Sequence, residues 1–165
     1  MKKVIEPETP LTTIEQAKAF LKKNHETGAN CPCCNQNVKI YSRKLHDKQM
    51  FGLLMLYRIT EGNTNTYVHF QKEITSRYIA ESDCADFAKM RFWKLIEKKE
   101  GEKDDGNPNS GFYRITKEGV DFLQGNLKIH RVARIFNNQF YGFSGELVSF
   151  ADCAKDRFDY SELMN

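Results

Sequence analysis

Apolar residues recur at intervals of three and four in three parts of the chain, which predicts three helices. Residues 14–21 form the first repeat, and Thr12 and Glu15 match a capping box at its start. Residues 45–59 are apolar on nearly every side, so we predict a helix buried at the centre of the fold. A third repeat, over 85–98, predicts a later amphipathic helix.

Strand patterns alternate with these helices. Residues 38–43, 67–70 and 112–116 favour strands, and Thr116 is placed to cap a last helix. Two further apolar runs flank Asn137–Asn138, and asparagine tolerates the left-handed conformation that a tight hairpin requires. The mixture predicts an α+β fold.

The pattern divides the chain into three predicted segments. Residues 1–44 hold an N-terminal helix and a cysteine cluster, and residues 45–125 hold the central helices with a strand pair around a polar loop, 101–111. Residues 126–165 hold a C-terminal β-hairpin and a tail. With 165 residues, of which 40% are hydrophobic, the chain is long enough for one ordinary domain with appendages.

Composition favours a cytoplasmic protein. No apolar run approaches the roughly 20 residues that a membrane span needs, and no apolar stretch follows the first lysines as in a secretory signal. The net charge of +3 is mild, so it does not by itself require a nucleic-acid partner.

Two short stretches are nevertheless basic, and each is a candidate for phosphate contacts, more strongly if the fold makes them neighbours. Their residues are Lys39, Arg43, Lys44 and Lys48 in the first, and Lys128, Arg131 and Arg134 in the second.

Two motifs lie on either side of the loop 101–111. Lys94–Glu97 stands where a G-L-I-E stretch leads into the wing of MarR- and PadR-type domains, and Ile115–Gly119 matches the I/L-T-x-x-G stretch that leaves it. Residues 45–125 therefore resemble a winged helix-turn-helix. The resemblance implies a scaffold that binds DNA in some proteins and mediates protein contacts in others.

The two ends of the chain carry a second resemblance. Cys31–Gln36 reads C-P-C-C-N-Q and Phe158–Met164 reads F-D-Y-S-E-L-M. With the middle region, these stretches resemble a group of small phage and prophage proteins. This resemblance implies an origin in a mobile element and carries no particular activity.

The third predicted helix indicates a protein partner. Placing residues 83–98 at 100° steps leaves Met90, Trp93 and Lys94 facing outward among three carboxylates. A tryptophan beside a methionine is typical of a protein-binding hot spot, and an acidic face and an acidic loop 101–111 repel phosphates. The alternative is that Trp93 covers the N- or C-terminal extension of its own chain.

The cysteines suggest a structural zinc ion. Cys31 and Cys34 form a C-x-x-C pair that resembles a zinc knuckle, and a structural zinc needs four ligands. Reduced thiols in a turn are the alternative, and His69 is also typical of a satisfied core histidine. The candidates that complete the ligand set are Cys33, His46, His69 and Cys84.

No P-loop, GxGxxG, GxSxG or HExxH motif occurs, so we expect a protein that is not an enzyme. One hypothesis is a phage-type accessory protein that binds a host or defence protein. The other is a winged-helix DNA-binding regulator, which dimerisation through the C-terminal hairpin would favour.

Overall fold

The computed structural model of the chain describes residues 5–7, 13–77, 79–101, 106 and 111–155. The chain gathers into two compact units. Of the described residues, the first unit contains those up to Arg43 together with Ala133–Phe143, and the second contains those between Lys44 and Val132 together with those from Ser144 to Lys155. Helices and strands alternate in the described chain, which confirms the α+β class.

In the first unit, helix α1 (Ile14–Asn24) begins one residue later than predicted. Its capping residue is Thr13, whose side chain accepts a hydrogen bond from the amide of Gln16, while the Gln16 side chain accepts one from the amide of Thr13. The predicted capping box of Thr12 and Glu15 is therefore wrong, and Thr12 itself lies outside the described residues. A glutamine at the third position serves as well as a glutamate, so the two registers were equivalent in sequence.

Short strands follow α1. Strand β1 (Ala29–Asn30) pairs antiparallel with β2 (Asn37–Val38), and β3 (Tyr41–Lys44) comes next. The single strand predicted over 38–43 is two strands, because the amide of Ile40 turns away to bond the carbonyl of His25 at 2.8 Å.

The second unit is built around helix α2 (Asp47–Thr60). This helix has buried side chains on most of its surface, as its sequence predicts for a central helix. The fully buried apolar residues on it are Met50, Leu53, Leu54 and Leu56.

A three-stranded antiparallel sheet belongs to the same unit. Its order is β4 (Val68–His69), β6 (Phe112–Ile115) and β5 (Ile96–Lys98), with β6 in the middle. Helix α3 (Phe70–Ser76) follows β4 directly, and helix α4 (Lys117–Leu123) follows β6. Thr116 caps α4, as predicted, by accepting a hydrogen bond from the amide of Gly119. Of the loop between β5 and β6, residues 102–105 and 107–110 lie outside the described ranges.

The α-helix predicted over 85–98 is wrong. The chain instead forms two 3₁₀ helices, Glu81–Cys84 and Phe87–Trp93, separated at Asp86 by a left-handed backbone conformation with φ of 62°. A 3₁₀ helix has three residues per turn, so Phe87, Met90 and Trp93 share one buried face. The α-helical spacing of 100° per residue, used for the prediction, had placed Met90 and Trp93 on the outside.

Helix α2 provides a reason for this packing. The Phe87 ring stacks on Phe70 with centroids 3.6 Å apart, and a Cβ atom at Gly52 would lie 2.8 Å from the Phe87 ring. The ring therefore occupies a place that only a glycine on α2 leaves open, which anchors the first turn of the 3₁₀ helix.

The C-terminal hairpin is confirmed. Strands β7 (Ile129–Phe136) and β8 (Gln139–Val148) join through Asn137–Asn138, which have φ of 46° and 60°. These strands continue a sheet of order β3-β7-β8, and helix α5 (Phe150–Ala154) follows. Residues 156–165, with the F-D-Y-S-E-L-M stretch, lie outside the described part of the chain.

The tip of the hairpin clusters with the first unit and its base with the second. Among the described residues, no helix combines the length and apolar character that crossing a membrane requires.

Candidate functional site

The predicted protein-binding surface on the third helix is not exposed. Met90 is 0% exposed and Trp93 only 4%, because both belong to the buried face of the 3₁₀ helix. The indole Nε1 of Trp93 donates a hydrogen bond to the carbonyl of His130 at 2.7 Å. The prediction that these two residues face outward is therefore wrong, and Trp93 packs against the C-terminal part of its own chain. Lys94 alone of the three is exposed.

Basic side chains predominate among the residues of this segment that are not buried. Residues 87–98 contain four basic side chains and one acidic side chain, Glu97. The Glu97 carboxylate accepts hydrogen bonds from Tyr67 Oη at 2.6 Å and from Arg114 Nη2 at 2.8 Å. These two bonds lower the pKa of Glu97, so it remains ionised and paired.

The surface beside this 3₁₀ helix is nevertheless mixed in charge. A hollow of about 480 Å³ is lined there by cations and carboxylates in equal number. The cations attract phosphates and the carboxylates repel them, so this surface is a poor primary site for nucleic acid. The charged side chains around the hollow are Arg91, Lys94 and Lys98 with Glu97, Glu100 and Glu118.

The part of strand β3 that belongs to the first unit, residues 41–43, presents a clearer cationic surface. All four residues of the strand are exposed, and Tyr41 is 42% exposed. Lys39 Nζ lies 5.1 Å from the centre of the Tyr41 ring, and the Arg43 guanidinium carbon lies 5.4 Å from it. The ring is therefore close to two cations, one that precedes it in sequence and one that follows it. We call Lys39, Tyr41 and Arg43 the β3 triplet.

Charge is unevenly divided between the two units. The first unit has eight Lys and Arg residues against four Asp and Glu, a net charge of +4. The second has 17 against 18, a net charge of −1, and together they give the +3 of the whole chain. The β3 triplet therefore belongs to the unit that carries the protein's positive charge.

Within the first unit, one residue of each predicted basic stretch lies on neighbouring strands, Arg43 on β3 and Arg134 on β7. Strand β3 hydrogen-bonds to β7, which contains Arg131 and Arg134. Within the first unit Arg134 pairs with Glu26 at 3.2 Å, and within the second Arg131 pairs with Glu146 at 3.2 Å. These two arginines are thus partly neutralised.

The other predicted phosphate contacts belong to the second unit. The Lys48 ammonium donates to the carbonyl of Ser82 at 2.8 Å, whereas Lys44 and Lys128 are exposed. Of the seven predicted cations, Lys39 and Arg43 are the two that flank an exposed aromatic ring. Tyr41 is not among the predicted contact residues, although it lies between Lys39 and Arg43 at alternate positions of the predicted strand, which share one face.

Exposed aromatic side chains also mark the tip of the hairpin in the first unit. Phe140 is 46% exposed and Phe143 is 43% exposed, with their ring centroids 4.6 Å apart. Tyr141, also exposed, contacts the His25 ring edge-on with centroids 5.4 Å apart. The sequence signal was the F-Y-G-F run after Asn137–Asn138, which was assigned only to a strand.

The predicted metal ligands separate into two groups. Cys31, Cys33 and Cys34 come together in the turn between β1 and β2. The backbone amides of Cys33 and Cys34 hydrogen-bond to the Cys31 sulfur and lower the pKa of that thiol. Desolvation is the main cause that raises the pKa of Cys33.

The two histidines have other roles, both in the second unit. The His46 ring lies 3.8 Å from the carboxylate of Asp86, and the amide of His46 donates to Gln49 at the start of α2. The Nδ1 atom of His69 accepts a hydrogen bond from the amide of Lys72 at the start of α3, and its ring contacts Phe112.

The remaining cysteines are buried. Burial raises the pKa of Cys153 to about 11, and Cys84 packs in the core of the second unit. In the described ranges, no set of three or more His, Cys, Asp and Glu side chains is arranged to hold one metal ion. A monomer therefore offers a turn of three thiols rather than the mixed cysteine–histidine set.

Comparison of the chain with protein-family models, with curated proteins and with solved structures gave no match, so the geometry of these surfaces carries the functional argument.

Proposed function

We propose that this chain is a non-enzymatic DNA-binding protein of winged-helix type, whose β3 triplet contacts the phosphate backbone. The observation that carries the proposal is the exposed Tyr41 ring between Lys39 and Arg43, in the unit with a net charge of +4. Sequence-independent affinity for DNA comes mainly from lysine and arginine contacts with phosphates. A tyrosine between two cations adds a ring that packs against sugar or base.

The order of elements in the second unit supports a winged helix. Helix α2, strand β4, helix α3, the 3₁₀ helices and the β5–β6 pair follow one another in the order that the sequence resemblance implies. One segment differs from a typical winged helix. In the place of the recognition helix the chain has a 3₁₀ helix of seven residues. Such a helix is only about 14 Å long at a rise of about 2 Å per residue, which favours backbone contacts elsewhere over reading of base edges by this segment.

The burial of Met90 and Trp93 changes the order of the two functional hypotheses. The protein-binding hypothesis depended on these side chains being outward, and that support is gone. The DNA-binding hypothesis rested on the winged-helix order and the two basic stretches, and it gains weight because Arg43 and Arg134, one from each stretch, lie on adjacent strands of the first unit. We therefore place DNA binding, as a winged-helix regulator, before protein binding.

Charge reversal on β3 tests this proposal. The double variant Lys39→Glu with Arg43→Glu is expected to weaken binding of a labelled random DNA duplex, measured by fluorescence anisotropy over a range of salt concentrations. Because each lost phosphate contact removes about 0.9 from the slope of log K against log salt, the slope should become shallower by roughly 2.

The matched control is Lys18→Glu with Lys22→Glu on α1. These lysines are exposed in the same unit, so the control changes the net charge of the unit by the same amount at another place. Equal losses of affinity in both variants would show a diffuse charge effect and remove the assigned site. A single-stranded oligonucleotide in the same assay shows whether stacking on Tyr41 outweighs duplex contacts.

A protein partner, such as a host or defence protein, remains the second proposal, supported by the exposed Phe140 and Phe143. Paired aromatic rings at a surface are typical of protein-binding hot spots. Phe140→Ser with Phe143→Ser should then reduce the amount of a co-purified protein at least tenfold and leave the melting temperature within about 2 °C. Leu147→Ser, at another exposed apolar position, is the control; equal recovery with both variants would contradict this surface.

A further inference from the structure

The hairpin turn that carries the cysteines is held by its own backbone. The amide of Cys31 donates to the carbonyl of Gln36 at 2.8 Å, and the amide of Asn35 donates to the carbonyl of Cys31 at 2.8 Å. Asn35 has φ of 61°, a left-handed conformation that asparagine tolerates. These bonds fix the course of the chain from Cys31 to Gln36 without help from another element.

This backbone keeps three cysteines together. The chain turns back on itself between Cys31 and Gln36, so Cys33 and Cys34 lie in the same turn as Cys31. Cys33 and Cys34 are exposed and Cys31 is half-buried, so the turn opens to the surface. Cys31 and Cys34, with two residues between them in a tight turn, form the pair of sulfur donors that a zinc knuckle supplies.

A structural zinc ion takes four ligands, and one turn supplies half of them. All five cysteines and four histidines of the chain lie in the described ranges, and each of the others has a different environment. Cys84 and Cys153 are buried in the second unit. The histidines have other environments: His25 packs against Phe136 and Tyr141 with its Nδ1 atom buried and without a hydrogen-bond partner among the described residues, His46 lies near Asp47 and Asp86, His69 contacts Phe112 and Lys72, and His130 lies beside Gly145.

We propose that Cys31 and Cys34 from two copies of this chain bind one zinc ion in a four-thiolate site that links the copies. Each turn contributes two sulfurs, and two turns complete the tetrahedron that neither completes alone. Loss of the four thiol protons on binding balances the exchange, because the metal takes thiolates. A dimer formed in this way does not depend on the DNA-binding proposal, since metal content and mass are measured without nucleic acid.

The full-length chain, purified with a reductant and loaded with zinc, provides the test. We expect 0.5 zinc per chain by elemental analysis and a mass of twice 19.2 kDa by light scattering, falling to 19.2 kDa when a chelator is added. Cys31→Ser and Cys34→Ser should each abolish both the zinc and the dimer. Cobalt substitution should give the intense visible absorption of a tetrahedral thiolate site.

Cys33→Ser is the matched control in the same turn, and it should keep both the zinc and the dimer. The single tryptophan, Trp93, reports whether the second unit stays folded in all three variants. One zinc per monomer, no zinc at all, or a dimer that survives chelation would each overturn the proposal. Loss of zinc in Cys33→Ser would overturn the assignment of the ligands to Cys31 and Cys34.

Discussion

Replacing Gly119 with alanine is expected to destabilise the second unit by about 3 kcal/mol, in the range of overpacked cores. A Cβ atom at this position would overlap the carbonyl oxygen of Leu95 and lie 2.9 Å from Ile115 Cγ1. The same carbonyl accepts the amide of Thr116 at 3.2 Å, so moving α4 away to relieve the overlap would also weaken this bond. Urea unfolding followed by the fluorescence of Trp93, the only tryptophan, measures the loss.

The sign of this change is diagnostic. Gly119 lies inside α4, where alanine is intrinsically favoured over glycine by about 1 kcal/mol. Helix propensity alone therefore predicts a more stable variant, and the close approach of Leu95 predicts a less stable one. Glu118→Ala, at the exposed neighbouring position, is the control and should change stability by less than about 0.5 kcal/mol. A stabilised Gly119→Ala variant would show that the backbone contact does not exist.

The region around Gly119 also shows what a sequence motif can predict. The I-T-x-x-G stretch was recognised by resemblance, and the structure supplies the reason for its residues. The Thr116 hydroxyl donates to the carbonyl of Lys94 at 2.5 Å and accepts from the amide of Gly119 at 3.0 Å. The threonine thus ties α4 to the chain before β5, and the glycine lets the two backbones approach. The motif itself is contiguous, so the sequence could reveal it, whereas the contacts that explain it join residues distant in the chain.

Other local signals were equally reliable. The apolar run of α2 predicted a central helix, and Asn137–Asn138 predicted the hairpin turn, because each depends on residues close together in the chain. The segment after Asp83 differs, since the choice between an α-helix and a 3₁₀ helix depends on the Phe87 ring meeting Gly52 and Phe70. The spacing of three in Phe87, Met90 and Trp93 was present in sequence but was read with the wrong period.

The candidate sites also divide into those formed by residues close together in sequence and those that depend on residues far apart. The cysteine turn was predicted because its residues are contiguous, whereas the roles of His46 and His69 depend on Asp86 and Phe112, which are distant in sequence. The two basic stretches were recognised as candidates, but only the pairing of β3 with β7 places Arg43 and Arg134 on neighbouring strands of the first unit. The pairing of β3 with β7, which joins residues distant in sequence, is therefore what favours the surface around the β3 triplet as the DNA-binding site.

Trp93→Ala is expected to cost about 3–5 kcal/mol, the usual range for removing a buried tryptophan. The side chain is 4% exposed, and its Nε1 satisfies the carbonyl of His130. Truncation would leave a cavity beside Met90 and remove the donor from that carbonyl. At roughly 2–4 °C per kcal/mol for a chain of this size, the melting temperature followed by circular dichroism should fall by about 10 °C.

Two further variants separate packing from hydrogen bonding. Trp93→Phe keeps an aromatic ring but loses the donor, so it should cost less than Trp93→Ala, whereas Phe92→Ala at the half-exposed neighbour should cost least. A partner-binding tryptophan would behave in the opposite way, because Trp93→Ala would then leave the melting temperature unchanged. That result would indicate that Trp93 is exposed, and it would restore the protein-binding hypothesis. The 3₁₀ helix places Trp93 on its buried face, so an exposed Trp93 would also contradict that helix.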